Sequence, residues 1–326
     1  MSGDAVIRTE GLVKDYGKVR ALAGVDLVVR RGELFGFLGP NGAGKSTTIR
    51  LLLDLLRPTA GRIEVLGRRP SQGGALLRAR IGYLPGELSM TGRKTAADLL
   101  RYFARLRGGA GRDQIGPLAE RLDLELDRPL RSLSRGNKQK VGVVQAFMHR
   151  PELLILDEPT TGLDPLLQRE VLDLMLEARE RGATVFMSSH VLSEVEEIAG
   201  KVAIIRAGRI VDVDDVEELR RHAGQEVELH FDGVVEVATF RDLPGVLDAI
   251  VDGTTLKCRL DGEPDALLKA AAAHHVTRWS AHDRELDDLF LDFYRLPAGS
   301  ADRPREGRPD HVVEVQDDAR EVRDGR

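Results

Sequence analysis

The sequence predicts an α/β fold, a mostly parallel sheet covered on both faces, with a smaller α+β unit behind it. Three observations carry that expectation. Short, continuously apolar runs such as ELFGFLG, LLILDE and ATVFMSS are separated by helix-like stretches, and strands that are apolar on both sides must be buried on both sides. From about residue 225 the texture changes, with EVELHFD and TLKCRL alternating polar and apolar residues as half-buried strands do. One glycine-rich loop, GPNGAGKST, joins a strand to a helix, which is where open α/β sheets gather anions.

Taken in order, AVIRT, GVDLVV, ELFGFLG and RIEVLG read as strands, and STTIRLLLDLL reads as a helix that stops at Arg57-Pro58 because proline has no N–H to continue it. Residues 92 to 127 read as mostly helical, with Leu99, Leu100, Phe103 and Leu106 at helical spacing. A strand and helix rhythm follows: LLILDE, a helix from about Pro165 to Arg181, ATVFMSS, a helix over VLSEVEEIA, and KVAIIRAG. The first unit ends near residue 220. In the second, GVLDAIV, ALLKAAAAHH and DRELDDLFLDFYR read as helices, and Cys258 and Trp279 as core residues of strands. From Pro297 the chain holds 14 charged residues and three prolines in its last 30, too little apolar surface to order itself. The expected organisation is therefore 1–220, a small unit over 221–296, and a disordered charged tail over 297–326.

Of the 326 residues, 42% are apolar and 31% charged, with a formal net charge of -5. That balance suits a soluble globular chain and supplies no global basic field, so composition disfavours bulk nucleic-acid binding. Cys258 is the one cysteine, which excludes an internal disulfide and a cysteine-rich metal site. No apolar run approaches the roughly 18 residues a membrane helix needs, and the start lacks a signal pattern. A cytoplasmic chain is expected, and any work at a membrane needs a second polypeptide. His274 and His275, adjacent in sequence, do not share a helix face and do not read as a metal pair.

The chemistry concentrates in four places. Gly39, Pro40, Asn41, Gly42, Ala43, Gly44, Lys45, Ser46 and Thr47 form a phosphate loop of the G-x-x-x-x-G-K-[ST] type between a strand and a helix. Its glycines let backbone N–H groups wrap phosphate, Lys45 supplies a point charge to the β- and γ-phosphates, and the Ser46 hydroxyl can ligate Mg²⁺. The strand LLILDE delivers Asp157 and Glu158 to the same sheet edge, Asp157 to hold a metal through water and Glu158 to polarise an attacking water. His190, after ATVFMSS, reaches that edge too and can hydrogen-bond phosphate or water. A second anion-binding turn, LSRGN at Leu133 to Asn137, opens a basic helix.

In order, a phosphate loop, LSRGN, a strand ending Asp-Glu, the turn TGLD at Thr161 to Asp164 and a strand-end histidine resemble the ATP-binding cassette (ABC) ATPases over about residues 5 to 220. The resemblance implies a P-loop NTPase fold, namely a RecA-like core with an antiparallel β subdomain and a helical signature subdomain, plus the small α+β C-terminal domain. It also implies ATP and Mg²⁺ as cofactors. Two cassettes of this family meet head to tail, so Ser134, Gly136 and Asn137 of one copy are expected to close over the nucleotide held by the other. Asp164 resembles the turn residue that couples the two sites. Tyr16 resembles the aromatic that stacks on adenine, or else it packs as an ordinary tyrosine. The expected partners are a second ATPase subunit, simplest as a homodimer, and an integral membrane permease docking around residues 83 to 110, with no nucleic acid.

Two departures stand out. The usual signature LSGGQ is LSRGN here, and Arg135 either adds charge near the γ-phosphate or is solvated. After RIGYLP the family places a glutamine at the metal, whereas this chain has Gly86 followed by Glu87. Either Glu87 approaches the metal or water fills that place. Variant motifs and appendage resemble the ATPase subunits of bacterial drug and antibiotic exporters. The resemblance thus implies an ATP-hydrolysing subunit at the inner face of the cell membrane that energises a separate permease, for export of drugs, antibiotics or lipophilic compounds. The alternative is a soluble ABC-type ATPase acting on DNA or ribosomes.

Overall fold

The computed structural model describes residues 4–283. The chain opens with two long strands, β1 (Ala5–Tyr16) and β2 (Val19–Arg30), then β3 (Leu34–Leu38), which runs through the phosphate loop into α1 (Lys45–Leu52). β4 (Ala60–Val65), α2 (Pro70–Ala79) and β5 (Ile81–Leu84) follow. A helical stretch then holds α3 (Ala96–Leu106), α4 (Ile115–Arg121) and α5 (Arg135–Phe147). β6 (Leu153–Asp157), α6 (Pro165–Glu180), β7 (Thr184–Ser189), α7 (Leu192–Ile198), β8 (Lys201–Arg206) and β9 (Arg209–Asp215) complete the large unit. α8 (Val216–Ala223) leads to β10 (Gln225–Phe231), α9 (Ala238–Arg241), β11 (Val246–Asp252), β12 (Thr255–Leu260), α10 (Asp265–Ala271) and β13 (Val276–Asp283).

Three sheets result. A six-stranded sheet runs β5-β6-β7-β3-β8-β9, parallel except for the last strand. An antiparallel sheet β2-β1-β4 covers one of its faces, and a four-stranded antiparallel sheet β11-β12-β10-β13 forms the C-terminal unit. All five residues of β3, five of β6 and six of β7 are buried, as continuous apolarity requires. Phe35 of β3 lies beside Phe186 of β7, ring centroids 6.0 Å apart, and Phe37 is 5.3 Å from the same ring. Each such buried side chain contributes about 1.5–3 kcal/mol, which fixes the register that brings the strand ends together.

The helical stretch is specified locally. Thr95 and Asp98 exchange hydrogen bonds of 3.2 Å, a capping box that starts α3, and α3 buries Ala96, Ala97, Leu100 and Ala104. Leu106, expected on the same apolar face, is the last residue of α3 and is 64% exposed. Arg121 of α4 ties this stretch to α6, meeting Glu177 at 2.7 Å and 2.9 Å and Glu170 at 2.6 Å.

The C-terminal unit has its own core of Val227, Leu229, Phe231, Phe240, Leu256 and Leu260 with Cys258. Two expectations fail there. GVLDAIV forms strand β11 rather than a helix, paired with β12 from Val246↔Leu260 to Asp252↔Thr255, so pairing partners override a short ambiguous pattern. Trp279 pairs with Leu229, yet it sits on an edge strand and remains 37% exposed instead of joining the core. The expected helix DRELDDLFLDFYR from Arg284 on, the end of the 221–296 unit and the 297–326 tail lie outside the described residues. Among the described residues no helix is long and apolar enough to cross a membrane.

Candidate functional site

The sheet order places the end of β3 between those of β7 and β8, with β6 beyond β7. Residues far apart in sequence therefore converge at one edge. Gly44, at φ 115°, caps α1, and a Cβ there would come within 2.6 Å of Leu22 and 3.0 Å of the Ala21 carbonyl. Only glycine permits the loop to rest on β2 at that point. α1 carries no acid in its first turn, so its dipole and loop amides face the edge uncancelled.

Lys45 is buried, with Nζ donating to the Gly39 carbonyl at 2.5 Å. The same Nζ lies 3.2 Å from Glu158 Oε1, an oxygen that is buried and accepts no hydrogen bond. The other oxygen, Oε2, is 2.6 Å from His190 Nδ1. Glu158 itself has φ 51°, a left-handed conformation costing on the order of 1 kcal/mol or more for a residue with a Cβ. Three hydrogen bonds hold this segment there: the Glu158 N–H donates to the Ser188 carbonyl at 3.1 Å, and Gln139 Nε2 donates to the Glu158 and Pro159 carbonyls at 3.3 Å and 2.9 Å.

Asp157 is buried, and its Oδ1 accepts from Ser188 Oγ at 2.6 Å. Its Oδ2 lies against Gly86, where a Cβ would stand 3.3 Å away. Glu87 is exposed, and it is Gly86 that packs beside the Asp157 carboxyl. Ser46, half-buried at the start of α1, and Asp157 supply a hydroxyl and a carboxylate. That all-oxygen set fits a hard divalent cation such as Mg²⁺, which keeps several waters and needs few protein ligands.

The second turn is built as sharply. Ser134 caps α5, its Oγ accepting from the Asn137 N–H at 3.2 Å. Gly136 lies so close to the TGLD turn that a Cβ would meet the Gly162 carbonyl at 2.8 Å, and the Arg135 side chain runs along Gly162. Asp164 caps α6 through Oδ1, accepting from the Leu167 N–H at 3.1 Å. The first turn of α5 has no acid, and Arg135 is exposed. Lys140, in the basic helix that this turn opens, is buried and donates to the Asp123 carbonyl at 2.8 Å, while Arg128 pairs with Glu125 at 3.5 Å.

Tyr16 ends β1 with 44% of its surface exposed and Lys14 Nζ 5.2 Å from its ring centroid. His274 stacks its edge near Phe231 and Phe240, a packing role. Sequence reasoning missed Gln139 and Ser188. For Ser188 the one available signal was a polar residue inside a mostly apolar strand; Gln139, between Lys138 and Lys140, gave none.

Comparison with known proteins agrees with the motif order. Residues 22–161 match the family model described as "ABC transporter". The chain is 31% identical to the bacitracin transport ATP-binding protein BcrA of Enterococcus faecalis, over 87% of this chain and 95% of that one. It is 34% identical to the daunorubicin/doxorubicin resistance ATP-binding protein DrrA of Streptomyces peucetius, over 90% and 93%. A solved structure of the ATP binding subunit of an ABC transporter superimposes with a TM-score of 0.63 at 32% identity, covering 67% of this chain and 92% of that one.

Proposed function

The chain belongs to the ABC transporter family as one of its ATP-binding, ATP-hydrolysing subunits, and from that premise we propose that it powers a separate membrane permease exporting an antibiotic or drug-like compound. The observation that carries the catalytic part is Glu158, whose carboxylate stands between Lys45 Nζ at 3.2 Å and His190 Nδ1 at 2.6 Å. The phosphate loop and Lys45 hold the triphosphate, and Tyr16 stacks on adenine. Glu158 accepts a proton from water as that water attacks the γ-phosphorus. The bond to the β,γ-bridging oxygen breaks and leaves ADP and inorganic phosphate. His190 fixes the carboxylate's orientation through Oε2. Ser46 and Asp157 would hold Mg²⁺, which neutralises phosphate charge when bound.

Ser134, Gly136 and Asn137 close over the nucleotide of a second copy, and Asp164 contacts that copy beside them. Two-fold symmetry then yields two sites from one kind of chain. A groove of about 550 Å³ between β5 and α3, lined by Leu55, Leu88, Met90, Leu99 and Phe103 among others, supports docking of the permease there, with the chain at the inner face of the membrane. Export of a drug or antibiotic draws support from the relatives named for bacitracin transport and daunorubicin resistance. The alternative of a soluble cassette on DNA or ribosomes draws none from them.

Replacing Glu158 with Gln tests this. Phosphate release is expected to fall about 10²–10⁴-fold, while ATP still binds and drives a dimer visible by size-exclusion chromatography. Wild-type turnover in that variant would sink the proposed base.

A further inference from the structure

The groove has an electrical character that its apolar walls hide. Of the fifteen residues that line it, none is aspartate or glutamate, while two are arginines. Arg78 is exposed at the rim and Arg107 is half-buried. The Arg107 guanidinium has only neutral company. Its Cζ lies 6.0 Å from the Phe103 ring centroid. With the Gln145 amide turned to satisfy both of its ends, Nη2 donates to the Gln145 oxygen at 3.1 Å and the Gln145 nitrogen donates to the Tyr83 carbonyl at 3.0 Å. No carboxylate among the described residues pairs with Arg107, and burial alone shifts it.

Burial with no counter-charge pulls the Arg107 pKa below its ordinary value, and the cation in turn helps hold nearby His149 down to about 4, after burial of that ring. His149 stays neutral, its Nδ1 buried without a partner, so it offers Arg107 no compensation. A guanidinium remains charged at any ordinary pH, and a desolvated cation is costly until an anion meets it. Resting on the docking reading given above, we propose that the groove receives an amphipathic segment of the membrane subunit whose apolar face carries one carboxylate, set against Arg107.

Such a pair would fix the register of the docked segment as well as its affinity, since apolar contacts alone slide while a two-pronged guanidinium–carboxylate contact does not. It would also connect to the catalytic edge. Arg107 touches Gln145, Gln145 touches the β5 backbone at Tyr83, and three residues on Gly86 lies against Asp157.

The test expresses the chain with a multi-span membrane protein encoded beside it and recovers the complex in detergent through a tag on the membrane protein. Arg107→Gln and Arg107→Glu are expected to lower the chain recovered by roughly tenfold or more, and Arg107→Lys by much less. A lysine scan of the acidic residues in the membrane protein's cytoplasmic loops should contain one variant that restores Arg107→Glu. Melting curves and turnover of the isolated variants, expected at wild-type values, separate lost docking from lost folding. If Arg107→Glu is recovered like wild type while Leu55→Asp is not, the groove docks the permease without a charge pair and the inference is overturned. Undiminished recovery of both variants overturns the docking reading beneath it.

Discussion

The six-stranded sheet of the large unit and the four-stranded sheet of the C-terminal unit are made of similar strands, but they treat polar residues in opposite ways. In β6 and β7 every position is buried, so a polar side chain there must find a partner or sit at the strand end. Asp157, Ser188 and Ser189 do both, and each belongs to the network around Glu158 or to the contacts of Glu194 beneath it. In β10 and β12 alternate positions are partly or fully exposed, and residues such as Glu226 and Lys257 occupy the water-facing side at little cost. The same residue types are therefore informative in the first sheet and uninformative in the second, and burial on both faces is what makes the difference.

The comparison can be broken in the core of the smaller sheet. Leu229 is 1% exposed, and Leu229→Ala should cost about 2–5 kcal/mol. Because that core is separate from those of the large unit, differential scanning calorimetry should show an early transition while phosphate release stays near wild type. Loss of turnover in step with that transition would mean the two sheets are not independent.

A smaller effect is expected at Ser188, whose removal leaves a buried carboxylate oxygen of Asp157 short of its donor. Ser188→Ala should cost about 1–3 kcal/mol and, unlike Leu229→Ala, depress turnover. Urea melts and a phosphate-release assay on one preparation separate the two outcomes.

A third prediction concerns pH. His149 has its pKa lowered from 6.5 to about 4, chiefly by burial and then by Arg107. The unfolded chain thus binds a proton that the folded chain refuses in that window. Stability should fall as pH drops from about 6.5 towards about 4, and the slope should flatten in His149→Phe. Parallel slopes in melting temperature against pH would reject it. The smallest effect is chemical: burial pushes the Cys258 thiol up to about 11, so the native chain should react with a maleimide at neutral pH far more slowly than the urea-unfolded chain.

Much of the site was legible because its parts sit where short-range rules place them. The phosphate loop lies between a strand and a helix, and Asp157, Glu158 and His190 lie at the ends of apolar strands. Gln139 was not legible, since its role depends on which carbonyls α5 happens to face, a matter of tertiary packing. The helix expectation for GVLDAIV failed because seven residues satisfy both periods and only the neighbour β12 decides. Trp279 has the periodicity of a core residue, but sequence does not say that its strand ends the sheet. Nor does the letter G at position 86 announce that its backbone rests on a carboxylate.

The contact between Gly136 and the Gly162 carbonyl has a mechanical consequence. Two turns that touch backbone to backbone have no compressible side chain between them, so a displacement of one is handed to the other almost undiminished. Whatever presses on LSRGN also moves the cap at Asp164 and with it the start of α6, and the molecule thereby carries a rigid linkage between two of its loops built from an absence of atoms.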